Sequence, residues 1–411
     1  MDMNKDWKKD ITLFLLSQTI SLFGSSLVQY AIMWYITIKT QSGVMMTISI
    51  ICGFLPTLFL SPFAGVWADR YDRKKLIILS DSFIALSTLG LAILFLMGYD
   101  SIMMLFVVSA IRALGTAIQT PAVGAFIPQI VPEDKLTKVN ATIGSIYSMV
   151  MLISPMLSGA LLAITSIETI FFIDVITAAI AVSVLILFLR VPVHAKAQGK
   201  QTTSYFSDMR AGITYIRNHA FIKSFFMFCI FLFFLVTPVA FLTPLQVTRS
   251  FGNDIWRLTA VEVIFSLGMV VGGIVMVYWG GFKNRVHSMA LASLAMGVCT
   301  FALGVVPIFW IYLAIIGLFG LSMPIFNTPS MVLLQEKIEG DFLGRVLGVL
   351  GMISSTMMPL GMLLFGPLAD IIKIEWLLLA TGLLLFIQGF LLLGNKVLIE
   401  AGKSAEGEAN V

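Results

Sequence analysis

Polar and apolar positions are segregated along this chain in long blocks, not at the short periods of a soluble helix or strand. Twelve apolar blocks occupy 11–38, 43–68, 76–98, 102–127, 139–163, 169–190, 221–245, 259–281, 288–307, 308–331, 346–370 and 376–395. A helix needs roughly 20 apolar residues to cross the hydrocarbon core of a bilayer. In lipid every backbone N–H and C=O must be satisfied within the protein, so runs of this length read as helices. The pattern predicts an all-α polytopic membrane protein with twelve transmembrane helices. The ninth and tenth are divided only at Pro307, where proline interrupts one long run.

The polar stretch 191–220 separates six blocks from six. The expected division is 1–190, an N-terminal six-helix bundle with a short tail; 191–220, a linker; and 221–411, a C-terminal six-helix bundle with its own tail. Within the linker, Tyr205, Phe206, Met209, Ile213 and Ile216 are spaced as one apolar face. That spacing fits an amphipathic helix at the membrane surface, or equally a solvated linker with a helical stretch. Short strings recur between the halves. Gly65-Val-Trp-Ala-Asp-Arg70 has a counterpart in Gly280-Gly-Phe-Lys-Asn-Arg285, 215 residues on. Thr120-Pro121 returns as Thr328-Pro329 after 208, and Leu136 as Leu343 after 207. Each pair is six helices apart, which points to two six-helix repeats.

Composition settles the class, and charge placement the expected orientation. Only 12% of residues are charged, 58% are apolar and the mean hydropathy is +0.97. A soluble protein carries about 25% charge, so this chain could not cover a water-facing surface. With twelve spans, 21 of the 26 Lys and Arg fall on the side holding both termini. Lys39, Arg249, Arg257 and Lys373 lie on the other side, and Arg112 lies inside a span. The positive-inside rule then predicts cytoplasmic termini in the cell membrane, and the net +4 calls for no nucleic acid. The charged start is followed by about 28 largely apolar residues, too many for a signal-peptide core.

Cys52, Cys229 and Cys299 lie in apolar stretches with no CxxC, so neither a disulfide framework nor a metal site is indicated. HExxH, GxSxG and Gx4GK[ST] are missing. An enzyme is not expected, nor a cofactor.

A charge at mid-bilayer costs about 2.5–3.5 kcal/mol on insertion scales, so Arg112 should face the bundle interior. Ser109, Arg112, Thr116 and Gln119 form one polar stripe on the fourth span; Gln18, Ser21, Ser25 and Gln29 form another on the first. The two stripes read as the lining of a shared aqueous cavity, or as interhelical hydrogen bonding. The acids that enter spans are Asp81, Asp174 and Glu262. Asp174 and Glu262 fit either a proton pathway at the outer face or helix-start charges favoured by the N-terminal dipole.

The loop after the second span reads Gly65-Val-Trp-Ala-Asp-Arg-Tyr-Asp-Arg-Lys-Lys75. Gly65 would allow a neighbouring helix to approach, Asp69 could accept from a helix N-terminus or pair with a cation, and Arg70, Arg73, Lys74 and Lys75 could meet anionic lipid headgroups. The string resembles the G-x-L-A-D-R-x-G-R-[RK] loop of the major facilitator superfamily. Gly65, Asp69, Arg70, Arg73 and Lys74 match, while Asp72 replaces the second glycine and changes the expected turn. The resemblance implies the two-by-six fold over about 11–395 and a conformational latch with Asp69 as acceptor. It also implies that Arg112 tunes a neighbouring carboxylate.

Ser154-Pro-Met-Leu-Ser-Gly159 resembles the exporter motif G-P-x-x-G-G, with Pro155 and Gly159 kept, and implies close approach of span eleven. Arg112-Ala-Leu-Gly-Thr-Ala-Ile-Gln-Thr-Pro-Ala122, Val131–Lys138 and Gln335–Val346 resemble the drug:proton antiporter branch that contains macrolide efflux proteins and siderophore exporters. The expected function is proton-coupled export of bulky amphipathic compounds by alternating access. A cavity of Gln18, Ser25, Gln29, Arg112, Thr116 and Gln119 would serve it, with Asp81, Asp174, Glu262 and Arg112 as coupling candidates. Partners are a small-molecule substrate, protons and membrane lipids, with the chain acting as a monomer. The alternatives are a siderophore or lipid exporter or an uptake symporter of the same fold, and, from another class, a non-transporting membrane sensor.

Overall fold

The computed structural model describes residues 7–189 and 216–403. Among them every regular element is helical, and twelve helices are long and apolar enough to cross a membrane. They are α1 (Trp7–Thr40), α2 (Gly43–Arg70), α3 (Arg73–Leu96), α4 (Ile102–Ile130), α5 (Leu136–Ile164) and α6 (Ile167–Leu187), then α7 (Ala220–Ser250), α8 (Ile255–Trp279), α9 (Arg285–Leu303), α10 (Phe309–Lys337), α11 (Gly340–Ile371) and α12 (Ile374–Gly394). A short α13 (Lys396–Ala401) follows. The run through Pro307 does break: α9 ends at Leu303 and α10 starts at Phe309. The amphipathic stretch of the linker, apart from Ile216, lies outside the described residues.

The described residues fall into two compact units, 7–40 with 48–189 and 41–47 with 216–403. In the first unit α1 packs on α5 and α6, and α3 on α4 and α6. In the second, α7 packs on α11 and α12, and α9 on α10 and α12, the same pairings six helices on. Caps repeat as well. Asp72 accepts from the Lys74 and Lys75 amides to start α3, and Asn284 accepts from the Val286 amide to start α9. The arginine after each cap then reaches the far end of the next helix: Arg73 donates to the Ala125 carbonyl of α4 at 2.9 Å, and Arg285 meets Glu336 of α10 at 3.3 Å. The structural repeat here therefore runs from Arg73 to Arg285, not from Arg70. Asp72 has φ −61°, so the loop needs no glycine at that position.

Two apolar clusters fill the first unit. One gathers Ile11, Phe14, Ile77, Phe126, Ile130 and Leu185; the other gathers Leu27, Ile32, Leu91, Leu105, Ile170 and Phe171. Along each helix the residues between these clusters are polar and buried, among them Ser17, Ser21, Asp81, Thr88 and Asp174.

In the second unit α8 and α10 pack backbone to backbone. A Cβ on Gly268 would lie 2.2 Å from the Gly317 carbonyl oxygen, and one on Gly320 2.3 Å from that of Phe265. Helix α7 is interrupted by a π-helical turn at Pro238–Leu242. The first turn of α2 belongs to this unit: Asp370 at the end of α11 accepts from the Gly43 and Val44 amides at 2.7 and 2.9 Å, from the Ser42 hydroxyl, and pairs with Arg249 at 2.8 Å. This is an N-terminal cap supplied by a carboxylate from another helix.

Candidate functional site

The buried polar layer of the first unit is built by heptad spacing. Asp81 and Thr88 on α3, and Arg112 and Gln119 on α4, are each seven residues apart, which is two helical turns and about 10 Å of rise. Helix α1 answers with Gln18, Ser21 and Ser25. The result is two polar nodes, one above the other.

The first node centres on Asp174 of α6, whose side chain is 1% exposed. Arg112 Nη1 pairs with Asp174 Oδ2 at 2.5 Å. Thr88 donates to the same oxygen at 3.1 Å and Ser25 to Oδ1 at 3.2 Å. Arg112 also donates to the Thr88 hydroxyl and, at 3.3 Å, to the Ser25 carbonyl. Both charges are thus paired and hydrogen-bonded, the condition for burying them. Gly24 makes the close packing possible, since a Cβ there would lie 2.0 Å from Thr177 Oγ1 and 3.1 Å from Asp174 Cα.

The second node centres on Asp81, which receives only neutral donors. Gln119 donates to Oδ1 at 2.6 Å, Ser21 to the same oxygen at 3.5 Å, and Gln18 to Oδ2 at 3.5 Å. Gln119 also bonds Gln18 at 3.4 Å. No ion pair reaches Asp81 among the described residues. A buried carboxylate held by neutral groups can be neutralised only by a proton or by an incoming cation.

The sequence-predicted residues divide accordingly. Gln18, Ser25, Asp81, Arg112, Gln119 and Asp174 come together. Asp174 is the eighth residue of α6, past its first turn, and is fixed by Arg112, so it is not a helix-start charge. Gln29 and Thr116 are exposed, and the Thr116 hydroxyl turns back to the Arg112 carbonyl. Thr88 was missed because a lone threonine in an apolar run looks neutral; its seven-residue step from Asp81 was the available signal.

The loop motif separates too. Arg73 ties the Ala68 and Ala125 carbonyls, and Lys74 donates to the Leu189 carbonyl at 2.7 Å. Arg70 is exposed, and the Asp69 side chain lies outside those described. Among the described residues a Cβ on Gly65 would meet nothing within 4 Å. Ser154, Pro155, Ser158 and Gly159 are buried, and Ser158 donates to the Leu27 carbonyl at 3.0 Å. Within its unit this face packs on α1. Glu262 lies in the second unit, against a separate cavity.

Twelve bilayer-length helices in two repeated six-helix units, with a buried polar layer in one of them, match a class: multi-pass membrane transporters built from repeats. The Major Facilitator Superfamily model matches residues 14–362, and the chain belongs to that family. It is 30% identical over 390 residues to macrolide efflux protein A of Streptococcus pyogenes, covering 94% of this chain and 96% of that one. The staphyloferrin A transporter of Staphylococcus aureus is 25% identical, over 89% of this chain and 91% of its own. Among solved structures, a bacterial homologue of the human lysosomal transporter Spinster superposes with a TM-score of 0.71 at 14% identity, covering 98% of this chain and 100% of that one. That likeness carries the fold alone.

Proposed function

We propose that the chain is a secondary exporter of bulky amphipathic compounds of the macrolide kind, driven by proton antiport. Asp81 carries this reading: it is a buried carboxylate in a span, held by Gln18, Ser21 and Gln119, with no cation beside it among the described residues. It takes up and releases the coupling proton, while the Arg112–Asp174 pair stands as a fixed element of the same layer. The macrolide efflux relatives at 30% identity support the substrate class. The asymmetry of Lys and Arg supports cytoplasmic termini, and access alternates by rocking of 11–190 against 221–395. Gly65, Asp69, Arg70, Arg73 and Lys74 act as the latch of that motion, and the chain works as a monomer.

The test is macrolide accumulation in inside-out vesicles under an imposed pH gradient. Wild type accumulates drug; Asp81→Asn loses gradient-driven accumulation but keeps downhill counterflow. Equal gradient-driven accumulation by both proteins removes Asp81 from coupling. Likeness to the staphyloferrin A transporter favours a second reading, siderophore export, which the same vesicles distinguish by their cargo.

A further inference from the structure

The second unit holds a carboxylate that the polar layer does not use. A cavity of about 120 Å³ opens between α7, α8 and α10. Val239 and Thr243 line it from α7, Glu262 and Phe265 from α8, and Phe319 and Met323 from α10. Glu262 sits seven residues into α8, about 10 Å along the axis from its start. Among the described residues it has no hydrogen bond and no ion pair. The two arginines before it are engaged elsewhere: Arg249 with Asp370, and Arg257 with Asp254 and the Trp256 ring. The α7 wall is the π-helical turn Pro238–Leu242, an irregularity that recurs at functional sites.

The lining says what kind of cation fits. A metal ion needs several oxygen ligands, and this cavity offers the Glu262 carboxylate and one hydroxyl. That hydroxyl, of Thr243, donates to the Val239 carbonyl, and two ligand groups fall short of the roughly six or more oxygens such an ion takes. The rest of the wall is aliphatic, thioether and aromatic, with the Phe265 and Phe319 rings 6.3 Å apart between centroids. One anionic acceptor beside two π faces and a methionine suits an alkylammonium. Its charge faces the carboxylate and its methyl groups lie against the rings.

We propose that the Glu262 cavity binds the alkylammonium head of amphipathic monocationic substrates. The physiological meaning of the site rests on the exporter reading above, and it narrows the substrate class to compounds that carry a protonated or quaternary amine.

The test measures binding of dodecyltrimethylammonium to the purified full chain in nanodiscs, with macrolide flux read in vesicles from the same preparation. Wild type binds the cation. Glu262→Gln, nearly isosteric, removes the charge attraction and weakens binding by about ten- to hundredfold. Phe319→Leu, which keeps the charge, weakens it severalfold and reports on the aromatic wall without touching the carboxylate. Elution of both variants as single symmetric peaks shows that they are folded. Absence of binding to wild type, or equal binding by wild type and Glu262→Gln, overturns the proposal. Macrolide flux reports separately on the exporter reading: Glu262-dependent binding without flux leaves the site standing and sinks export, whereas flux with Glu262-independent binding does the reverse.

Discussion

Asp174→Asn removes one charge from a buried pair and leaves Arg112 behind. The carboxylate is 1% exposed and the guanidinium 11%, so water can do little to repair the loss. Breaking such a pair on one side costs about 3–5 kcal/mol. The local geometry adds to this. Asp174 receives donors at both oxygens, Ser25 at Oδ1 and Thr88 with Arg112 at Oδ2, and an asparagine turns an NH2 group toward one set of them. For a cooperative unit of about 200 residues, each kcal/mol is worth roughly 2–4 °C, so the midpoint should fall by roughly 6–20 °C. Adding Arg112→Gln removes the orphaned charge, and replacing both partners of a buried pair is often close to neutral. The double variant should therefore recover most of the loss, with a coupling energy of about 2 kcal/mol or more. Thermal unfolding of the detergent-solubilised protein, followed by the surviving monodisperse peak, measures all three variants. A single variant that melts with wild type, or a double variant whose loss equals the sum of the singles, refutes the reasoning.

Two further outcomes follow from packing and capping. Gly24→Ala places a methyl group against Thr177 and the Asp174 backbone and should cost about 1–3 kcal/mol, read as a lowered melting midpoint; an unchanged midpoint would mean that α1 and α6 are not packed as described. Asp370→Ala strips the cap from α2, a loss of about 1 kcal/mol by analogy with ordinary caps. The Gly43 and Val44 amides should then exchange hydrogen faster, while the middle of α11 is unaffected. Unchanged protection at both amides would show that the cap does not hold that turn.

The twelve spans were legible because span length is set by bilayer thickness, and an apolar run reports it directly. Which side of each span meets which neighbour was less legible. A helix in lipid is apolar all round, so hydropathy does not reveal its rotation. Arg112 could be found as an oddity, but its partner lies 62 residues away on α6, among acids that looked equally suited to a helix start. The π-helical turn was hidden because Pro238–Leu242 sits within a uniformly apolar run. Gly65 stood in a recognisable string, yet glycines that admit a neighbour within this unit include Gly24, which no motif marks. Close approach depends on what faces a glycine, and one chain alone does not encode that locally.

The repeat makes the two carboxylate sites intelligible together. Helices α4 and α10 are aligned by Thr120-Pro121 and Thr328-Pro329, an offset of 208 that carries Arg112 onto Gly320. In the first unit that position supplies a cation, and Asp174 is neutralised by a resident charge. In the second unit the same position is a glycine, which brings the Phe265 carbonyl of α8 against α10 and leaves no room for a long basic side chain. Gly320 follows directly on Phe319, a wall of the Glu262 cavity. The arginine of one repeat is thus a glycine in the other, where it lets α8 and α10 close together beside the cavity that Glu262 lines. Glu262 has no ion pair among the described residues, and the proposal for this cavity supplies its cation from outside the protein. The two copies thus differ in kind: the first holds its buried carboxylate Asp174 with a resident arginine, and the second, under the proposal above, holds Glu262 open to the cation of a substrate.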